Sequence, residues 1–321
     1  MLFSKIIKKK FDAVLGRYDG DPAYHYDVPS DFPELSSQPF DIPGDRNVML
    51  KGAFYYVGQL QPEKLIVFDH GIGAGHLAYL KEIAYLAKSS YTVYAYDHTG
   101  CVATGGTGIL GFAQGINDLD HVLTALQQDS RFSGVPRKLM GHSWGGYASM
   151  NVSALHPEVT HVVSLAGFLS ARSLVEQYIP KPFLKYSGEV MERERQHNPA
   201  YADLDARESL LKSQTRLLHL QSRDDVKVEF ARGCQPLREA LAERPHTQFL
   251  VVDRKNHDPQ RTEAAAAANA AMLQDLEQKR KKHQLDTVAQ QAEFRSTYDW
   301  DQITEQDPAV WEKILAFLGE N

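Results

Sequence analysis

Six consecutive residues concentrate the chemistry this chain could do: Gly141-His142-Ser143-Trp144-Gly145-Gly146. A short strand-like segment, Lys138 to Met140, precedes them and helix-forming sequence follows. A serine on so sharp a strand-to-helix turn is forced into a strained backbone, and its hydroxyl is lifted clear of the sheet. The residues two before and two after it then lie so close that any Cβ would collide. Gly141 and Gly145 meet that demand, and Gly146 lets the new helix pack closely on its strand. A serine alcohol is a weak nucleophile until a neighbouring base takes its proton. His257, in Lys255-Asn256-His257-Asp258-Pro259, follows the apolar run Phe249 to Val252. It therefore belongs in a loop at the carboxyl edge of a parallel sheet, the edge at which Ser143 must emerge. His142 lies inside the turn and should point elsewhere, and His161 and His219 fall within strands. A buried carboxylate would fix the imidazole tautomer and stabilise imidazolium. Asp224 and Asp225 both follow the strand Leu217 to Leu220, and spacing alone does not choose between them. Developing negative charge needs backbone donors. The amide of Trp144 is one, at a helix start where orphan N–H groups and the dipole help.

The elements that must hold these groups follow a rhythm. Residues 12 to 37, rich in Asp, Pro, Ser and Tyr, read as an irregular arm. Pro39 to Ile42 and Val48 to Tyr56 read as strands around a Pro43-Gly44-Asp45 turn. Then come the apolar run Leu65 to Phe68, a helix carrying Leu80, Ile83, Ala84 and Ala87, and a strand from Tyr91 to Tyr96. A Gly-rich loop from Gly100 to Gly111, read as flexible, leads to a helix with Ile116, Leu119, Leu123 and Leu126 on one face. Thr160 to Leu165 is the next strand. Continuous rather than alternating apolar strands, separated by helices, indicate a mostly parallel sheet covered on both faces. The rhythm breaks at residues 168 to 214, which look helical or irregular and polar, as a lid inserted above the sheet would. It resumes at Leu217 to Leu220 and Phe249 to Val252. A long helical stretch, 262 to 294, follows; it could cover the site or extend the cladding of the sheet. Asp307-Pro308 caps a final helix with Trp311, Ile314, Leu315 and Leu318 on its apolar face.

Bulk properties exclude several function classes. The 321 residues carry a net charge of −6, against a nucleic-acid partner, and 43 % hydrophobic residues suffice for a large core. Two cysteines, Cys101 and Cys234, build no disulfide framework, so a reducing, cytoplasmic location is expected. No CxxC or HExxH occurs, so neither a metal nor another cofactor is expected. Met1 to Phe11 reads as a short basic amphipathic helix, and no apolar run is long enough to predict stable membrane insertion. Two glycine patterns imitate nucleotide sites. In Gly71-Ile72-Gly73-Ala74-Gly75 the third glycine of a dinucleotide fingerprint falls on His76, and in Gly100 to Thr107 a P-loop's lysine falls on Gly106.

From residue 38 to the end the chain resembles the α/β-hydrolase superfamily, and within it the bacterial esterase, lipase and serine-aminopeptidase-like members. His70-Gly71-Ile72-Gly73 matches that family's oxyanion loop, and Asp97-His98-Thr99-Gly100 its aspartate-glycine turn. The resemblance implies Ser143, Asp225 and His257 as nucleophile, acid and base in the family's chain order. Val226 and Val228 favour Asp225 over Asp224. Ile72 and Trp144 become the oxyanion amides. The rhythm and its break divide the chain into a core of 38–167 and 215–321, an arm of 1–37 and a cap of 168–214, with Gly71, Phe168, Leu169, Tyr178 and Phe183 as candidate pocket residues and packing within the cap as the equal alternative for the last four. The function expected is hydrolysis of a small carboxylic ester. An aminopeptidase or amidase using Glu189, Glu192 or Glu194 as amine anchor, acyl transfer to an alcohol, and a non-catalytic binding protein are the alternatives.

Overall fold

A computed structural model describes Lys9 and residues 11–320. The basic helix read at Met1 to Phe11 lies almost wholly outside them. Eight strands form one sheet: β1 (Leu35–Pro39), β2 (Gly52–Val57), β3 (Leu65–Asp69), β4 (Thr92–Tyr96), β5 (Arg137–His142), β6 (Val159–Leu165), β7 (Arg216–Ser222) and β8 (Thr247–Val252). Their spatial order is β1-β2-β4-β3-β5-β6-β7-β8. β1, β2 and β4 pair antiparallel, and every pair from β4 to β8 is parallel. The expected mostly parallel α/β sheet is therefore present.

The unbroken apolar strands follow from burial on both faces. Along β3, Leu65 and Val67 point into one core with Tyr94, Leu139 and Val162. Ile66 and Phe68 point into the other with Val93, Met140 and Val163. Helices α2 (Gln114–Gln128) and α3 (Trp144–Val152) close the first face through Ile116, Leu119, Leu123 and Tyr147. Helix α1 (Leu80–Lys88) and the C-terminal helix Pro308–Leu318 close the second through Ile83, Leu86, Trp311 and Phe317. Each such side chain contributes about 1.5–3 kcal/mol by leaving water.

Between β6 and β7 the chain forms α4 (Ala171–Tyr178), a 3-10 turn at Lys181–Tyr186, α5 (Ser187–His197) and α6 (Ala206–Lys212). Helix α7 (Cys234–Ala240), with a proline near its start and few apolar residues, was not anticipated. The long stretch after β8 is two helices, α8 (Glu263–Lys281) and α9 (Val288–Thr297). His283, at φ 56°, ends the first, and Thr287 opens the second by exchanging hydrogen bonds with Gln290. No helix among the described residues is long and apolar enough to cross a membrane.

Three readings of the sequence need correction. The first strand starts at Leu35, inside the segment read as irregular, because an edge strand burying only Leu35 shows no alternation. Pro39 to Ile42 is not a strand, although Ile42–Pro43 pairs with Met49–Leu50 in a small separate hairpin. The loop from Gly100 to Gly111, read as flexible, is stapled by the arm. Tyr18 N–H donates to the Gly100 carbonyl, Val102 N–H to Tyr18 and Ile109 N–H to Leu15. Arg17 also donates to the carbonyls of Val102, Thr104 and Gly106.

Two expectations for stability follow. A Cβ on Gly145 would lie 2.0 Å from the Asp69 carbonyl oxygen, so Gly145→Ala must push α3 off β3. It should cost more than about 4 kcal/mol in urea unfolding, in the range of severe core defects. Burial also lowers the pKa of His70 to about 3 and of His142, His161 and His219 to about 4. Below pH 6.5 the unfolded chain binds protons that these sites refuse, so stability is lost as pH falls from 6.5 towards 4. His98 acts oppositely. Burial opposes its charge, but Asp69 and Asp118 win and raise it to about 10, so its contribution fades above pH 6.5. Thermal melting from pH 4 to 8 should show the steeper loss on the acid side, and a melting temperature that holds steady down to pH 4 would contradict this.

Candidate active site

Ser143 sits at φ 54°, ψ −108°, between β5 and α3. Its N–H donates to the Leu165 carbonyl of β6 at 2.7 Å, which ties the turn to the neighbouring strand. The glycines around it are required by contact. A Cβ on Gly141 would lie 2.3 Å from the Gly145 carbonyl group, and one on Gly146 would meet Ser164 Oγ at 2.8 Å.

Across the sheet edge, Asp225 and His257 follow β7 and β8. His257 Nδ1 lies 2.8 Å from Asp225 Oδ2. A carboxylate partner requires the hydrogen on Nδ1, which leaves the Nε2 lone pair to act as base. Asp225 is buried and held in turn: Oδ1 accepts from Lys227 N at 2.9 Å and Val228 N at 3.0 Å. Asp224 instead accepts from Ser222 Oγ and, at 3.3 Å, from Asn256 N. The geometry therefore pairs Asp225, not Asp224, with the imidazole. Ser143 and His257 line one cavity of about 610 Å³. Among the described residues no hydrogen bond joins the two directly. Such contacts commonly tighten only around substrate.

The loop after β3 approaches closely. Gly71 and Ile72 line the same cavity, and a Cβ on Gly71 would lie 3.4 Å from Ser143 Cβ. His70 fixes this loop. Its Nε2 accepts from His98 N–H at 3.0 Å, so Nδ1 carries the hydrogen and donates to the Gly71 carbonyl at 2.8 Å. In a trans peptide the Ile72 N–H points away from that carbonyl. Among the described residues it has no acceptor in the protein. The Trp144 backbone amide opens α3, while its indole N–H donates to the Phe112 carbonyl at 2.6 Å.

Of the expected pocket residues, Gly71, Phe168 and Tyr178 line the cavity. Leu169 does not: its side chain is buried in the core, and its carbonyl accepts from Ala206 N at 2.9 Å. Phe183 also lies outside the lining and packs against the same core. The proposed amine anchors Glu189, Glu192 and Glu194 line a different cavity, of about 420 Å³. Glu194 there accepts from Phe112 N at 2.8 Å and Ala113 N at 3.1 Å, capping the start of α2.

Much of the cavity wall was not read from the sequence. The arm supplies Phe11, Tyr18, Asp21, Tyr24 and Tyr26, and α8 supplies Asn269, Leu273, Leu276 and Arg280. Helix α8 thus covers the site. The tyrosine density of the arm was the available signal, since aromatic rings in a polar segment need a surface to bury against. Helix α4 reaches the acid's loop, where Gln177 and Tyr178 each donate to the Lys227 carbonyl at 2.9 Å. The ligand atoms of His25, Asp27 and Asp31, on the arm, lie within 4.8 Å of one another, and His25 and Asp27 line the same cavity as Ser143.

Comparison with known proteins identifies the fold and the family. No curated protein sequence matches the chain. An esterase from Pyrococcus furiosus superposes with a TM-score of 0.59 at 18 % identity, over 82 % of this chain and 98 % of its own. Carboxyl esterase 2 of the fungus Tuber melanosporum gives 0.51 at 17 %, over 70 % and 78 %. A puromycin-hydrolyzing peptidase from Mycobacterium tuberculosis gives 0.52 at 16 %, over 69 % of this chain but 36 % of its own. At such identities the likeness is one of fold, that of the α/β hydrolases. The sequence itself fits the family model described as serine aminopeptidase, S33, across residues 60–243, more than half its length. This chain is therefore an α/β hydrolase and belongs to the S33 serine aminopeptidase family.

Proposed function

We propose that the chain hydrolyses carboxylic esters through an acyl-enzyme on Ser143. The observation that carries this reading is a tautomer-fixed histidine, 2.8 Å from a buried carboxylate, sharing a cavity with a strained serine. His257 Nε2 takes the Ser143 proton as Oγ attacks the ester carbonyl. The amides of Ile72 and Trp144 hold the oxyanion. The imidazolium, stabilised by Asp225, gives its proton to the departing alkoxide. Water repeats the sequence on the acyl-enzyme and restores the serine.

Ester rather than amide chemistry is favoured by the lining. Phe112, Phe168, Leu174 and Val228 give the cavity an apolar wall. Two of its acidic residues already face guanidinium groups: Asp21 lies 2.5 Å from Arg280 and Asp258 3.7 Å from Arg261. Neither is left as a free counter-ion for a substrate amine, and the third, Asp27, lies on the arm with His25 at 3.5 Å. Residues 168–214 act here as a cap, with Phe168 and Tyr178 shaping the acyl or alcohol side.

A fluorophosphonate probe should label the protein and Ser143→Ala should abolish labelling, with turnover of short 4-nitrophenyl esters falling on the order of 10⁴–10⁶-fold. Labelling that persists in the alanine variant would remove Ser143 from this role. Asp225→Asn should cost roughly 10⁴-fold, by analogy with the same change in other triads. Asp224→Asn should stay within about tenfold of wild type, and the reverse ranking would transfer the acid's role to Asp224.

A further inference from the structure

Two buried side chains that take no part in the proton transfers form a one-way chain between the three parts of the site. Tyr79 Oη lies 3.1 Å from Gly71 N and 2.8 Å from His142 Nδ1, and His142 Nε2 lies 2.8 Å from the backbone oxygen of His257. The direction of every bond is forced. A carbonyl only accepts, so His142 Nε2 must donate to residue 257. Burial, and then the neighbouring His257, lower the pKa of His142 to about 4, so its Nδ1 is a bare lone pair near neutral pH. Tyr79 must therefore give its hydroxyl hydrogen to Nδ1, and its oxygen accepts from Gly71 N–H, which can only donate. No donor or acceptor in the chain is left over. The relay packs so closely on Gly71 that no side chain fits there: a Cβ would lie 2.8 Å from Tyr79 Oη and 3.2 Å from His142 Nδ1.

We infer that Tyr79 and His142 are positioning residues that hold the Gly71-Ile72 loop, the Ser143 turn and the His257 backbone in one register. The inference rests on the reading of Ser143 as nucleophile. The relay fixes the Gly71 amide while His70 fixes its carbonyl, so the residue before the Ile72 donor is held at both ends. The same relay holds the carbonyl of the residue whose imidazole must meet the Ser143 hydroxyl. Its loss should loosen groups that act together in the transition state; Tyr79 and His142 also line the cavity, but Tyr79→Phe keeps the ring that forms the wall, and so ground-state binding.

The test is steady-state kinetics on a short 4-nitrophenyl ester, with kcat expressed per fluorophosphonate-labelled site so that misfolded protein does not count. For Tyr79→Phe, kcat should fall about 10–100-fold with KM within about twofold of wild type, somewhat less than the loss of a whole oxyanion donor. His142→Gln keeps a nitrogen donor where Nε2 stood, and His142→Phe keeps none, so Gln should retain about tenfold more kcat than Phe. If Tyr79→Phe does not fold, the ranking of the two His142 variants decides. A kcat per site within twofold of wild type in Tyr79→Phe, or equal rates in the two His142 variants, would overturn the inference. A wild-type chain that the probe does not label would instead overturn the assignment of Ser143, and the relay's purpose with it.

Discussion

Ser143 occupies a backbone conformation that costs on the order of 1–3 kcal/mol when nothing enforces it. It is enforced here by close approach. The Gly145 Cα region rests on the Asp69 carbonyl at the end of β3, and Gly141 and Gly145 stand too close for side chains. The Ser143 amide donates to Leu165 on β6. Three adjacent parallel strands, β3, β5 and β6, thus converge on one serine, and α3 begins where their carboxyl ends leave room. Helix α3 is buried along its whole length, so it cannot back away to relieve the turn. The strain persists because two packed cores, one on each face of the sheet, would have to give way before it could relax.

The same carboxyl edge carries an unusual load of buried charge. Asp69, His98 and Asp118 are wholly excluded from water, with His98 Nε2 against Asp69 and Nδ1 3.2 Å from Asp118 Oδ2. Burying charges costs several kcal/mol each unless hydrogen bonds replace the lost water. Asp118 has those bonds, from Thr99 N at 2.7 Å, Thr99 Oγ1 at 2.8 Å and Gln114 Nε2 at 2.8 Å. Asp69 Oδ2 has none among the described residues. Burial raises the Asp69 pKa, and the adjoining His98 charge counteracts it. His98 also packs 4.4 Å from Trp144, centroid to centroid, and its backbone N–H sets the tautomer of His70. Through His98 the cluster touches Trp144 and His70, and it links the Thr99 turn, β3 and α2 into one polar floor. A polar network is more directional than an apolar core, since each bond works in only one arrangement.

The sheet and the elbow were legible because local sequence determines them. A run such as Leu65 to Phe68 has one comfortable environment, a strand buried on both faces, and Gly-x-Ser-x-Gly-Gly has few backbones open to it. The rank of Asp225 over Asp224 was less so. Both stand in one loop, and the choice depends on which carboxylate the turn rotates inward to meet Lys227 N and Val228 N. Leu169 and Phe183 were misplaced for a related reason: an apolar residue in a cap satisfies the core and a pocket equally well in sequence. Tyr79 was invisible as a polar participant. On a helix-entry turn it reads as one more aromatic, and only the meeting of β3, β5 and the β8 loop supplies its partners.

The walls of the cavity show where the limits of inheritance lie. The family match spans residues 60–243, which contain the Ser143 turn, the Gly71-Ile72 loop and Asp225 but not His257. The arm from Phe11 to Asp27 and the face of α8 from Asn269 to Arg280 also fall outside it, yet both line the cavity. These two segments fasten to each other. Arg280 pairs with Asp21 at 2.5 Å, and Ala23, Met272, Leu276 and Phe294 form a satellite core. The arm is stapled independently to the loop after β4. Ser143, Asp225 and the Gly71-Ile72 loop therefore lie within the match, whereas His257 and much of the wall offered to substrate lie beyond it. Membership in a family named for aminopeptidases accordingly says much about how Ser143 would react and little about what reaches it. That distinction is physical. The elbow tolerates almost no change in backbone, while an arm and a helix resting on the rim can change side chains without disturbing a strand.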